Sequence, residues 1–265
     1  MSTAGARGGS TLSTAHARRL LRRWDAQQES FNPTRELRFR AMFDIVEVSV
    51  GRKFSAVDLG SGPGSLSARL LGRFPSARCT AVDYDPVTQL IGRRALGTQR
   101  GRLSWADADL GTPGWSRRLP RSTYSAALST TALHWLTSVQ LRKFYAELRR
   151  VLRPGGVFLN GDYLPPGPTQ PRVARLVDRV HELQWKREGT TARSRWRPWE
   201  LWWTDARRVP ALSESFRLRE GRGFGHPHHA PTTLEVHRRA LLRSGFKEPT
   251  PVWDFFGNRI LVAWR

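Results

Sequence analysis

The 265-residue sequence predicts an α/β protein with a mostly parallel sheet, and three observations carry that prediction. Short apolar runs alternate with helical stretches between residues 55 and 163, the first run ends in a glycine-rich turn, and residues 246–264 read as a hairpin. Parallel strands need crossover connections, and crossover helices cover both faces of the sheet.

Residues 1–15 are mostly Ser, Thr, Ala and Gly without apolar periodicity, and read as a disordered tail. Residues 16–54 form a helical N-terminal unit. Its first helical stretch runs from Ala15 to Ala26, and its second from about Pro33 to Val50, with Asn32 as N-cap and Pro33 as first residue. Ser55 to Leu59 is a short apolar strand, Gly60 to Gly64 a turn, and Ser65 to Phe74 a helix. Strands follow at Ala77–Val82 and Arg102–Ala106 around a helix at Pro86–Leu96. A strand at Tyr124–Ser129 precedes an amphipathic helix at Ser138–Leu152, which Pro154, Gly155 and Gly156 stop before a strand at Val157–Tyr163. Residues 164–231 break the rhythm: a stiff Pro165–Pro168 linker leads into an Arg-rich helical insertion carrying Trp185, Trp196, Trp199, Trp202 and Trp203. A helix over Thr232–Arg243 and strands at Phe246–Trp253 and Asn258–Trp264, joined by a Gly257-Asn258 turn, complete the core with 55–163.

Composition excludes several classes. A single cysteine, Cys79, rules out an internal disulfide framework and a cysteine-based zinc cluster. No apolar run approaches the roughly 18 residues of a membrane span, so a soluble, cytoplasmic protein is expected. The net charge is +22, yet Lys53, Lys143, Lys186 and Lys247 are the only lysines, and the arginines are spread over every segment. A diffuse excess of this kind attracts anions in general, whereas a nucleic-acid reader more often concentrates it on one face.

The glycine turn reads Asp58-Leu59-Gly60-Ser61-Gly62-Pro63-Gly64. A dinucleotide fingerprint wants its third glycine at position 65, and a phosphate-binding P-loop wants a lysine; both are missing. Asp58 sits badly beside a pyrophosphate but suits a ligand bearing an ammonium group. The arrangement resembles motif I of the class I S-adenosylmethionine-dependent methyltransferases, with Ser61 in place of a common cysteine. Four further segments are similar to that family in the same order: Ala81-Val82-Asp83, Trp105-Ala106-Asp107-Ala108, Leu128 to Leu136 with His134-Trp135, and Leu152 to Leu159. The resemblance implies a Rossmann-like seven-stranded sheet of order 3-2-1-4-5-7-6 with strand seven antiparallel. It also implies S-adenosyl-L-methionine held by Asp58, Gly60, Ser61, Gly62, Gly64, Asp83, Tyr84, Asp107, Ala108 and Ser129. In that reading Asp83 takes the ribose hydroxyls, Asp107 the adenine amine, and Ala108 offers backbone. The stretch Arg23 to Phe31 is similar to a lid helix of the small-molecule branch typified by trans-aconitate and ubiquinone-pathway enzymes.

His134, Asp162 and Tyr163 are the candidate catalytic residues, since ligands collect at the carboxyl ends of strands in such sheets. His134 reads either as a base for an oxygen or nitrogen nucleophile or as a structural histidine, and Asp162 either as an acid or as a strand terminator. Arg38, with Arg35 and Arg40 beside it, is the candidate for the methionyl carboxylate. Trp24, Phe31, Trp199, Trp203, Arg197 and His228 are expected to bind a planar or anionic acceptor. His226, His228 and His229 have no carboxylate at ligand spacing, so no metal is expected. The leading function is methyl transfer to a small aromatic or anionic metabolite. The alternatives are an RNA-directed methyltransferase and a non-catalytic cofactor scaffold. The sequence does not distinguish monomer from homodimer.

Overall fold

A computed structural model describes residues 11–224 and 232–265. The sheet contains β1 (Ser55–Leu59), β2 (Arg78–Asp83), β3 (Leu103–Asp107), β4 (Tyr124–Thr130), β5 (Leu152–Tyr163), β6 (Lys247–Phe255) and β7 (Asn258–Trp264) in the order 3-2-1-4-5-7-6. Strands β1 to β5 pair in parallel, while β7 runs antiparallel between β5 and β6. The sheet is therefore the one expected. Each inner strand is apolar because both faces are covered: Val57, Ala127 and Phe158 face one core, and Ala56, Ala126 and Leu159 the other.

Helices α1 (Thr14–Phe31) and α2 (Arg35–Val50) precede the sheet, and α3 (Ser65–Arg73), α4 (Pro86–Leu96) and α5 (Ser138–Val151) cross over between strands. Ser13 caps α1, accepting from the His16 N–H at 3.2 Å. The helix therefore begins inside the 1–15 tail, and Leu12 just before it is buried. Asn32 does not cap α2 as expected. Its N–H continues α1 by donating to Gln28, and its carbonyl accepts from Arg35, so Thr34 becomes the α2 N-cap. The hairpin turn is shifted by one residue. Phe256 and Gly257 occupy it at φ +47° and +89°, and Asn258 opens β7. Positive φ at both central positions matches the twist of a two-residue hairpin loop, and Asp254 secures the turn by accepting from the Gly257 N–H at 3.0 Å.

The insertion folds into α6 (Pro171–Arg187), α7 (Ala192–Arg207) and α8 (Ser213–Gly221), and α9 (Leu234–Arg243) returns the chain to the hairpin. The insertion divides in two. Helices α7 and α8 join α1 and α4 in a third apolar core of Leu20, Leu21, Val87, Ile91, Trp202, Leu212 and Phe216. Trp202 is 1% exposed and donates its indole N–H to the Leu20 carbonyl at 3.0 Å. Burial of so large a side chain contributes on the order of 3–5 kcal/mol. Helix α6 instead lies near the end of β5 and the hairpin, where His181 stands 6.2 Å from Tyr163 and 6.4 Å from Phe256, ring to ring.

Candidate active site

The carboxyl ends of β1, β2, β3, β4 and β5 carry the chemistry, as the topology requires: the strand order reverses between β1 and β4, opening a crevice there. The β1 turn is built on backbone approach. Gly60 has φ +73°, and a Cβ there would fall 2.4 Å from Ala132 Cβ, so only glycine lets the segment after β4 close against the loop. A Cβ on Gly62 would stand 3.6 Å from the Trp24 ring, which α1 lays over the loop. Asp25, next along α1, accepts from Ser65 Oγ at 2.6 Å and pairs with Arg35 and Arg69, both at 3.1 Å. These bonds tether α1 and α2 to the start of α3.

Asp58 is buried beneath the loop. Its Oδ2 accepts from the Ser67 N–H and Oγ, whereas Oδ1 has no partner among the described residues. Burial pushes this carboxyl up to about 7, against the hydrogen bonds from Ser67. A cationic ligand nearby would favour its charged form. Asp83 at the end of β2 accepts from the N–H groups of Gly62 (2.6 Å), Tyr84 (2.8 Å) and Asp85 (2.8 Å). Burial pushes it up to about 6 despite those donors. A glycine cradle that a Cβ would fill, an acid at its lip and an orphaned carboxylate oxygen beneath it together fit a nucleoside sulfonium with an ammonium tail. Asp58, Asp83 and the glycine loop would hold it.

Several expected cofactor residues have internal duties. Ser129 Oγ donates to the Leu59 carbonyl at 2.8 Å, and Ser61 is mostly buried. The Ala108 N–H donates to the Asp83 carbonyl at 3.0 Å, so the backbone donor expected for adenine is already engaged. Arg38 is fully buried; its Nη2 donates to Thr130 Oγ1 at 2.8 Å and Thr131 Oγ1 at 2.7 Å, and burial lowers its pKa to about 10. It clamps the β4 exit from below, instead of standing open to a carboxylate. Of its neighbours, Arg35 is buried and Arg40 exposed.

His134 and Asp162 come together. Asp162 is fully buried, accepts from the His134 backbone N–H at 3.2 Å, and lies 2.9 and 3.1 Å from Nδ1 through its two oxygens. The Tyr163 N–H also donates to it, at 2.9 Å. Burial opposes charge on both groups, yet their mutual attraction raises His134 above its ordinary value and, with Arg38, holds Asp162 below the usual carboxylate range. An anionic Asp162 fixes the tautomer with the proton on Nδ1, and Nε2, on a side chain 24% exposed, has no hydrogen-bond partner among the described residues. Beneath Asp162, Tyr145 Oη and Thr232 Oγ1 bracket His237 at 2.6 and 2.8 Å, and burial depresses that imidazole to about 4, keeping it neutral.

The residues expected to bind the acceptor do not gather in one place. Trp24 meets Trp202 and Trp203 edge to face at 4.8 and 6.1 Å, so Trp203 belongs to the lid and cap packing on the α4 side. Trp199 and Trp203 line a cavity of about 380 Å³ with Arg207, Phe216 and Arg219, none of which belongs to the His134 group. Arg197 is exposed on α7. The Phe31 side chain and His228 lie outside the described residues. What stands with Tyr163 at the end of β5 is His181, stacked 6.0 Å from Trp185, and Phe256. Sequence reading missed His181 and Phe256, because only the fold of α6 against the hairpin assembles them. Among the described residues no cluster of potential metal ligands occurs, and no helix is long and apolar enough to cross a membrane.

This sheet order, with a glycine turn after β1 and an acid ending β2, defines the class I S-adenosylmethionine-dependent methyltransferases. The chain is similar to that family: residues 56–156 match the family model described as a methyltransferase domain. It is 33% identical over 135 residues to a trans-aconitate 2-methyltransferase from Azoarcus sp., covering 51% of this chain and 48% of the relative. It is 36% identical over 103 residues to a malonyl-[acyl-carrier protein] O-methyltransferase from Geobacter sulfurreducens, covering 38% and 36%. The chain thus spans half or less of the length of these curated relatives. In fold it is similar to human N-acetylserotonin methyltransferase in complex with SAM, at 14% identity and TM-score 0.54, over 96% of this chain and 56% of the other. An O-methyltransferase family protein from Burkholderia thailandensis aligns at 16% identity and TM-score 0.53, over 98% and 65%. The family's cofactor is S-adenosylmethionine.

Proposed function

We propose that this chain transfers the methyl group of S-adenosylmethionine to an oxygen or nitrogen of a small aromatic or anionic metabolite seated beside His134. The observation that carries the reading is the His134–Asp162 pair beyond the end of β4, with Nδ1 held by the carboxylate and Nε2 unpaired among the described residues. The bound cofactor supplies an electrophilic methyl on a sulfonium, whose departure as a thioether needs no acid. The chain's own residues align and desolvate the partners, which supplies much of the rate. His134 Nε2 would take the proton that the nucleophile gives up on methylation. Asp162 then stabilises the imidazolium. Tyr163, His181, Trp185 and Phe256 offer the acceptor aromatic faces on the same rim.

Incubation of the protein with a metabolite extract and methyl-labelled S-adenosylmethionine tests the assignment by mass spectrometry. A small aromatic or carboxylate-bearing compound gaining one labelled methyl is expected. Label entering only added RNA would refute it.

A further inference from the structure

Helix α8 and the residues just after it reach across the cap and bind the ends of β2 and β3. Asp107, at the end of β3, accepts from Arg222 through both oxygens, from Nη1 at 2.9 Å and Nη2 at 2.7 Å. The same guanidinium lies 4.5 Å over the Tyr84 ring and donates to the Tyr84 carbonyl. Phe224 stands 5.3 Å from that ring. Three residues earlier Arg219 donates from Nε to Asp85 Oδ2 at 2.6 Å, with its guanidinium between the rings of Trp203 (4.2 Å) and Phe224 (4.9 Å). Arg219 on α8 and Arg222 just after it thus grip the turn that follows Asp83 and the acid that ends β3. Arg219 and Arg222 are mostly shielded from solvent, whereas Arg217 on α8 is exposed and pairs locally with Glu214.

A bidentate guanidinium fixes both the plane and the rotamer of a carboxylate. Each carboxylate oxygen has two acceptor sites, so Asp107 held by Arg222 keeps one site per oxygen for another donor. Because α8 is anchored by Leu212 and Phe216 in the core shared with α1 and α4, the grip also ties the cap to the cofactor side of the crevice.

We propose that Arg222 is a positioning residue for cofactor selection: it orients Asp107 toward the purine amine and couples the α8 segment to the cofactor side of the crevice. The proposal rests on the reading that the adenine of S-adenosylmethionine lies at Asp107. An amine at purine position 6 donates to the carboxylate, whereas the carbonyl oxygen of the inosine analogue opposes it. Discrimination between the two therefore depends on a fixed Asp107.

Calorimetric titration of S-adenosylhomocysteine and S-inosylhomocysteine into wild type, Arg222→Met, Arg222→Lys, Arg217→Ala and Asp107→Ala tests this. Arg222→Met is expected to weaken S-adenosylhomocysteine by about tenfold and to erase most of the preference for the amino form. Arg222→Lys should recover part of that preference, and Arg217→Ala, the same charge change five residues earlier on α8, should match wild type. Hydrogen exchange across residues 213–222 should slow on S-adenosylhomocysteine binding in wild type and not in Arg222→Met. Unchanged affinity and preference in Arg222→Met, or tighter S-adenosylhomocysteine binding, would overturn the proposal. Should Arg222→Met not fold, wild-type selectivity in Arg222→Lys together with unslowed exchange in wild type would overturn it equally. If Asp107→Ala itself keeps the full preference, the placement of adenine fails, a result distinct from failure of Arg222 alone.

Discussion

Replacing His134 with alanine is expected to lower kcat by about 10²–10⁴-fold, the usual contribution of a positioned general base, while S-adenosylhomocysteine affinity stays as in wild type. The residue lies on the β4 exit, and no hydrogen bond joins it to the glycine turn or to Asp83, so its loss should act on the acceptor step alone. Its protonation sets the pH response. Only neutral His134 accepts a proton, and Asp162 raises its pKa above the ordinary 6.5, so activity should fall as pH drops through that raised value. Asp162→Asn removes the charge that raises it, and the acidic limb of kcat/KM should move to lower pH, with reduced stability because Arg38 and His134 lose a buried partner. Steady-state rates across pH with a labelled acceptor measure both effects. A His134→Ala variant with wild-type kcat would assign the pair a structural role.

Gly60→Val is expected to cost about 2–5 kcal/mol of stability, from a β-branched residue forced to positive φ and from overpacking. The added Cβ meets Ala132 at 2.4 Å, and Ala132 leads directly into the turn that carries His134, so relief of the clash displaces the cofactor loop and the base together. Urea unfolding read by Trp fluorescence gives the first quantity, and methyl transfer by the residual folded protein the second. A midpoint equal to wild type would mean that the two segments do not touch.

What was legible in the sequence was what short stretches specify. The strand, glycine turn and helix at 55–74 are one local unit, and Asp83 announces itself by ending an apolar run. The Phe256-Gly257 turn escaped by one residue because a bulky side chain rarely accepts positive φ, and nothing in composition signals that it must here. His134 and Asp162 were each visible at the end of a strand, but their pairing comes from parallel alignment of β4 with β5 across 28 positions. The spacing of Trp199, Trp202 and Trp203 on α7 gives one helix face without saying whether it packs on the domain or meets an acceptor. The fold turns Trp202 onto α1 and brings His181 of α6 to Tyr163. The arginine excess also looks different in place: Arg35, Arg38, Arg219 and Arg222 are spent on internal carboxylates and hydroxyls, which weakens the charge as a sign of nucleic acid.

On the function proposed above, the crevice between β1 and β4 holds S-adenosylmethionine through the glycine loop and Asp83. Isothermal titration of S-adenosylhomocysteine into the wild-type chain and into Asp83→Ala, with both shown folded by circular dichroism, tests it most directly. One-to-one binding by wild type, weakened at least tenfold in the variant, is the result expected. Equal affinity in both, or no binding by folded wild type, would contradict it.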